Sequence, residues 1–336
     1  MAGGSLVTKE MKKAIGAWRM PQFAPEDVTI WAVLRYAAAT EDPNPLWRDE
    51  NYAKRTKWDG IIAPPTFIQV YNSINRQFRE QGCEPWPEVL PFDPPFERTF
   101  FGSDEFEFLA PIRIGDAISS EAVLGDVSEK QSRSGAGRLV LIQHNMAYHN
   151  QRGELLARHK GTLISVEVAA PAVATGEAEH SKSVAPVTIS PRQVCFEDVE
   201  VGFNIPSMAK HVTLITLLKW AGVTGDVGRP HFDFEYMTKV WGMPNVVAHG
   251  PLIGAYLAQL ITNWIGSWGV LVRHSAQYVG NVFPEAVVTF GGKVTHKHVL
   301  QGENFVDCET WAKDQGERIV ALGKSTVTLP LRSQVC

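Results

Sequence analysis

Cysteine is scarce in this chain. Four residues in 336 (Cys83, Cys195, Cys308 and Cys336) stand too far apart for a metal-ligand pair. That spacing reads as thiols in a reducing cytoplasm, not as a disulfide framework. Long apolar runs are also missing, and no stretch approaches the roughly 20 residues a membrane helix needs. The opening segment from Met1 to Trp18 has lysines but no uninterrupted apolar core, so it does not read as a secretory signal. Surplus charge is absent as well. A net charge of −4 gives no electrostatic case for nucleic acid or an anionic membrane surface. No Gly-x-Gly-x-x-Gly or Walker pattern follows a strand-like run, which argues against a phosphate-cradling loop. What remains is ordinary for a globular protein: 44% hydrophobic and 20% charged residues. The length is generous for one core and comfortable for two.

One local pattern stands out. Residues 224–231 read Thr-Gly-Asp-Val-Gly-Arg-Pro-His, and an apolar stretch ending Val-Val-Ala-His-Gly-Pro-Leu follows at 246–252. A carboxylate (Asp226) and an imidazole (His231) thus stand five residues apart, after an apolar helix-like run. Gly250 opens a second helix-like run. An acid/base pair plus a backbone N–H at a helix start suits addition of water to an α,β-unsaturated thioester.

The pattern has a shadow. Residues 40–47 read Thr-Glu-Asp-Pro-Asn-Pro-Leu-Trp. Asp42 and Asp226 are 184 positions apart, as are Thr40 and Thr224, Asp49 and Asp233, and Tyr52 and Tyr236. Ala63-Pro64-Pro65 faces Ala248-His249-Gly250 at an offset of 185. A register held this long indicates internal duplication into two domains, not a short-period array. At the histidine position the first copy has Trp47.

Each copy shows the same order of elements. An apolar helix-like run (Val28–Ala39; Leu214–Val223) leads to the polar loop. A longer helix follows (Pro65–Glu80; Pro251–Ile265), then strand-like segments. In the second copy apolar residues occur nearly all round the helix, which predicts that it is wrapped on most sides. Arg138–Tyr148 and Glu154–Val168 flank Asn150-Gln151-Arg152-Gly153, a hairpin signal; Asn304–Ala312 and Arg318–Leu329 flank Lys313-Asp314-Gln315-Gly316 likewise. Residues 169–191, rich in Ala, Pro, Ser, Thr and Glu, read as a linker. The expected organisation is an N-terminal domain over 1–168, the linker over 169–191, and a C-terminal domain over 192–331.

These residues resemble a known family. Asp-x-Asn-Pro-x-His followed by Ala-His-Gly is the signature of MaoC-like dehydratases and R-specific enoyl-CoA hydratases. Asp226, His231 and Ala248-His249-Gly250 match it at the family spacing. The first half, with Ala63-Pro64-Pro65-Thr66-Phe67, resembles the related FAS1-like dehydratase domain. Two positions depart: Gly228 stands where the family has Asn, and Arg229 where it has Pro. The first copy has the complement, Asn44 and Pro45 without the histidine. The resemblance implies an α+β tandem hotdog, each half a long helix wrapped by an antiparallel sheet. It also implies reversible, R-specific hydration of an enoyl thioester on coenzyme A or an acyl carrier, with the first copy non-catalytic and accommodating the acyl chain.

The expected roles follow. Asp226 and His231 hold one water between them, and the Gly250 N–H meets the charge that develops on the thioester oxygen. Alanine at 250 would push a methyl toward that carbonyl. Gly228 and His249 lie beside the substrate, and His249 can equally cap the helix. Asp42 braces its own loop. Phe67, Ile68, Val70, Tyr71 and Ile74, with Trp86, Pro87 and Phe92, are candidates to line the acyl chain or to be ordinary core; Phe67 and Tyr71 lead this group. No metal or other cofactor is called for, and no metal-ligand spacing is visible. The expected partner is the thioester substrate, with no nucleic acid or membrane, in a homodimer of such chains. Two other readings share the fold. One is a non-catalytic partner subunit of a hydratase. The other is a thioesterase, for which the 251–265 helix lacks a carboxylate.

Overall fold

The computed structural model describes residues 4–23, 27–71, 90–132, 137–167 and 193–335. In chain order the elements are α1 (Lys9–Ala14), β1 (Arg19–Phe23), α2 (Ile30–Ala39), α3 (Glu50–Ala53), β2 (Arg98–Phe108), β3 (Ser119–Gln131), β4 (Arg138–His149) and β5 (Leu155–Val166). Then come β6 (Asn204–Val212), α4 (Leu214–Thr224), α5 (Phe234–Lys239), α6 (Gly250–Ile265), β7 (Val270–Tyr278), β8 (Ala286–Leu300), β9 (Glu303–Lys313) and β10 (Ile319–Thr328). Both expected hairpins form, β4–β5 and β9–β10.

The strands make one antiparallel sheet in the order β1-β3-β4-β5-β2-β7-β10-β9-β8-β6. Read from either end, the order is the same for the two halves. They join where β2 meets β7, from Ser103 opposite Gln277 to Glu107 opposite Arg273.

The duplication extends to the caps. Thr29 and Thr213 each cap their helix by accepting an N–H three residues on. Asp49 and Asp233 do the same for α3 and α5. After α4 the chain turns through Gly225 in the left-handed region (φ 74°), where glycine carries no Cβ penalty. After α2 the same turn is made by Glu41 at φ 50°.

Helix α6 is the centre of the second half. Every residue from Pro251 to Ile265 is buried, as its all-round apolar pattern requires. Pro251 suits the first turn, where its missing N–H leaves no bond unmade. In the first half the corresponding segment begins as a 3-10 helix over Pro65–Tyr71. The rest of the helix expected to Glu80 lies outside the described residues, as do Ile74, Trp86, Pro87 and the whole segment 169–191. No helix among the described residues is long and apolar enough to cross a membrane.

Candidate active site

Asp226 is delivered by the turn that ends α4. Thr224 Oγ1 donates to the Trp220 carbonyl and accepts the Asp226 N–H at 3.4 Å, which directs the carboxylate inward. His231 ends a 3-10 turn over Arg229–His231. The 246–252 segment is clipped to that turn twice. The Val247 N–H donates to the Pro230 carbonyl at 3.0 Å, and His231 Nδ1 donates to the Val247 carbonyl at 2.8 Å. Because a carbonyl only accepts, the proton sits on Nδ1 and the Nε2 lone pair is left for chemistry.

His249 is fully buried. Its Nε2 donates to the Asp226 carbonyl at 3.0 Å, and its ring stacks on His231 with centroids 3.5 Å apart. Burial, reinforced by His231, holds its pKa well below the ordinary histidine value. It is therefore a neutral spacer against which the His231 ring is set. One side-chain donor or acceptor atom from each of Asp226, His231 and His249 falls within a sphere where all lie within 4.8 Å of one another. That spread admits a water bonded to two of them. Such a trio could also meet a metal ion, an arrangement that linear spacing did not reveal.

Burial raises the Asp226 carboxyl above the ordinary range, opposed by His231 and the Gly228 N–H. A carboxyl raised on folding favours the neutral form, so its charge costs stability. The cost is absent below the unfolded value of about 3.9 and complete once pH exceeds the raised value. At pH 7 Asp226→Asn should leave the melting temperature unchanged or higher. A clear fall in thermal denaturation would contradict this account of its burial.

Gly250 begins α6. Pro251 has no N–H, and Leu252 and Ile253 both donate to the His249 carbonyl. The Gly250 N–H is thus the first-turn donor left for a ligand, at the positive end of the helix. The expected effect of alanine here needs correction. A Cβ at 250 would not point at a substrate carbonyl; it would fall 2.6 Å from Cδ2 of the Tyr278 ring. Tyr278 also closes on Gly254, whose Cβ would lie 2.6 Å from the Tyr278 hydroxyl. That hydroxyl donates to Asp104 at 2.6 Å, and Asp104 pairs with His159 at 2.6 Å. A buried carboxylate of the first half thus fixes a ring under the start of α6. Sequence reasoning missed Tyr278 and Asp104, because nothing local marks a pairing across β2 and β7.

Gly228 is buried, and a Cβ there would sit 3.4 Å from Asp226 Oδ1 and 3.5 Å from His231 Cδ2. A side chain at this position would touch both members of the pair. Arg229 turns outward, with Nε on Asp233 at 3.0 Å and the guanidinium 3.9 Å from the Tyr236 ring centre.

In the first copy Asp42 is buried and bonded within its loop. It accepts the Asn44 N–H at 3.0 Å and Trp47 Nε1–H at 2.9 Å. Burial raises its carboxyl, opposed by these bonds and by Lys210. Lys210, itself buried, donates to the Thr40 and Glu41 carbonyls at 2.9 Å each, and burial lowers it to about 8. Phe67 and Tyr71 are buried core residues, Phe67 packing edge-on against Tyr36 and Tyr71. Ile68 is fully buried, Val70 partly so, and Phe92 packs on a smaller core around Leu124 and Ile142. Trp47→Ala should cost about 3–5 kcal/mol of stability, as for other buried tryptophans. Chemistry at Asp226 should change by only a few-fold, and chemical denaturation beside a turnover assay separates the two.

Two halves of one antiparallel sheet, each with the same capped loop, define a double hotdog. The model of the FAS1-like dehydratase domain region matches residues 14–159. A UPF0336 protein of Thermobifida fusca is 32% identical over 111 residues, 33% of this chain and 67% of that protein. A probable enoyl-CoA hydratase alpha subunit of Thermomonospora curvata is 24% identical over 168 residues, 46% of this chain and 52% of that one. The chain thus spans about half the length of that hydratase relative. Among solved structures, a MaoC-like dehydratase superposes with a TM-score of 0.73 over 95% of this chain and 99% of its own, at 23% identity. The chain belongs to the MaoC-like hotdog dehydratase family.

Proposed function

We propose that this chain is a hydro-lyase that reversibly adds water to a 2-enoyl thioester, giving the R-3-hydroxyacyl product. The observation that carries the reading is the buried Asp226 carboxylate beside a His231 whose Nδ1 is held by a backbone carbonyl. Both contact His249, the residue that leads into the free first-turn N–H of α6. Asp226 and His231 bind one water. As its oxygen attacks Cβ, the pair accepts one proton and returns one to Cα, while the Gly250 N–H stabilises the enolate oxygen. The relatedness to an enoyl-CoA hydratase alpha subunit supports a coenzyme A thioester as substrate.

In this reading the second half, 192–331, carries the chemistry. The first half, 1–168, joined by 169–191, shapes the site and accommodates the acyl chain. The protein acts in the cytoplasm as a homodimer. Gly228 is the observation that favours the second reading, a non-catalytic partner of another hydratase, because it removes a side chain from between Asp226 and His231.

Loss of enoyl absorbance on incubation with crotonyl-CoA, and with a longer enoyl-CoA, tests the proposal. Turnover is expected, and its absence with both substrates would leave the partner reading. The acid limb of kcat/KM should lie above the ordinary carboxylate range of about 3.9, because burial raises Asp226. Activity should fall as pH drops through that raised value. A limb at or below 3.9 would show that Asp226 is not the ionising base.

A further inference from the structure

We propose that the first copy keeps a second acyl-thioester site, one that binds without turning over. The proposal rests on the hydratase reading for the class of ligand. A cavity of about 290 Å³ lies in this half, against Leu46, Trp47, Ala63, Pro65, Phe108 and Leu156. Its far wall is the last turn of α6, at Thr262 and Ile265. Those residues are about 20 Å from Gly250 along the helix, at about 1.5 Å per residue. The cavity is therefore separate from the Asp226 site.

The duplication says what this space is. Trp47 stands at the register of His231, Ala63 at that of Ala248, and Pro65 at that of Gly250. Three walls of the cavity thus match positions of the catalytic site, with the imidazole and the helix-start N–H replaced; Asp42, the counterpart of Asp226, keeps its carboxyl but is bonded within its own loop and does not line the cavity. The Trp47 N–H is committed to Asp42, so only the apolar ring is left to the cavity. Pro65 has no N–H with which to meet a thioester oxygen. The walls are aliphatic or aromatic, and the volume suits a short acyl group. At the rim Leu109 is 46% exposed. Two cations flank Trp58 there: Lys57 lies 4.8 Å from its ring centre, and Arg113 donates to its carbonyl at 2.8 Å. Burial lowers the Lys57 pKa to about 8, and the charge of Glu303 opposes that shift. An apolar pocket with cations at its mouth fits an acyl chain whose carrier bears phosphates, as the phosphopantetheine of coenzyme A or of a carrier protein does.

The test counts sites on the full chain by equilibrium dialysis with hexanoyl-CoA, which is saturated and cannot be hydrated. Free coenzyme A serves as the control, and S-hexanoyl-pantetheine separates the acyl contribution from the nucleotide's. Two equivalents per chain are expected in the wild type. Ala110→Trp, which fills the cavity, and Leu109→Glu, which charges its rim without disturbing the core, should each bind one and keep crotonyl-CoA turnover within a few-fold. One equivalent in the wild type, unchanged in both variants and with turnover intact, would overturn the second site and leave the hydratase reading standing. Two equivalents in both variants would overturn it as well. So would loss of turnover in both, since the cavity would then belong to the reacting site. Binding that the variants reduce from two to one, in a wild type with no turnover, would sustain this pocket and reject the hydratase reading.

Discussion

Asp226→Asn and His231→Ala are each expected to lower kcat/KM for crotonyl-CoA by about 10²–10⁴-fold, the range for a lost general acid or base. The double variant should be hardly worse than either single one. In the proposed mechanism a single water serves both groups, so removing either leaves the other with nothing to exchange. The packing predicts that the variants stay folded. His231 is half-buried, and Asp226 holds an unfavourable buried charge whose removal relieves the fold. Multiplication of the two losses in the double variant would show two independent roles and contradict a shared water. Near wild-type turnover in either single variant would remove the pair from the mechanism.

Gly250→Ala should lower turnover by about 10²–10³-fold, the typical effect of a lost oxyanion donor. The cause is indirect. The new methyl would meet the Tyr278 ring at 2.6 Å, and that ring is held by its hydrogen bond to Asp104. Either the ring or the first turn of α6 must move, and the N–H moves with the turn. Adding Tyr278→Ala to Gly250→Ala should therefore recover part of the loss, because the obstacle is gone. If the double variant is worse than Gly250→Ala alone, Tyr278 does more than occupy that space.

Much of this arrangement could be read from the sequence, and what could not has a physical reason. Helix α6 was legible because it is apolar on every side and opens with Gly-Pro. The hairpins were legible from their turn residues. The duplication was legible because the loop residues recur at one spacing: Thr40 and Thr224 each bond back to the end of the preceding helix, and Asp49 and Asp233 each cap the next one. The shape of the first half was less so: the described part of its expected long helix is a 3-10 segment, Pro65–Tyr71. Within the site, the pair and the helix start were visible, but their supports were not. Tyr278 and Asp104 meet only because β2 and β7 pair across the two halves. Lys210 sits on a strand where a lysine ordinarily faces water. It is buried because its ammonium reaches two carbonyls of the other half's loop. The stacking of His249 on His231 needed the turn at Pro230 to be closed by Val247.

The hand of the product tests the central claim most directly. With the thioester oxygen on the Gly250 N–H, the acyl group is clamped between the start of α6 and the Asp226/His231 turn. One face of the protein then supplies both the hydroxyl and the proton. Chiral chromatography of the 3-hydroxybutyryl product from crotonyl-CoA should give the R enantiomer almost alone, with the solvent deuteron at Cα added syn in D₂O. A predominantly S product would mean that water reaches Cβ from the opposite face, where neither Asp226 nor His231 stands.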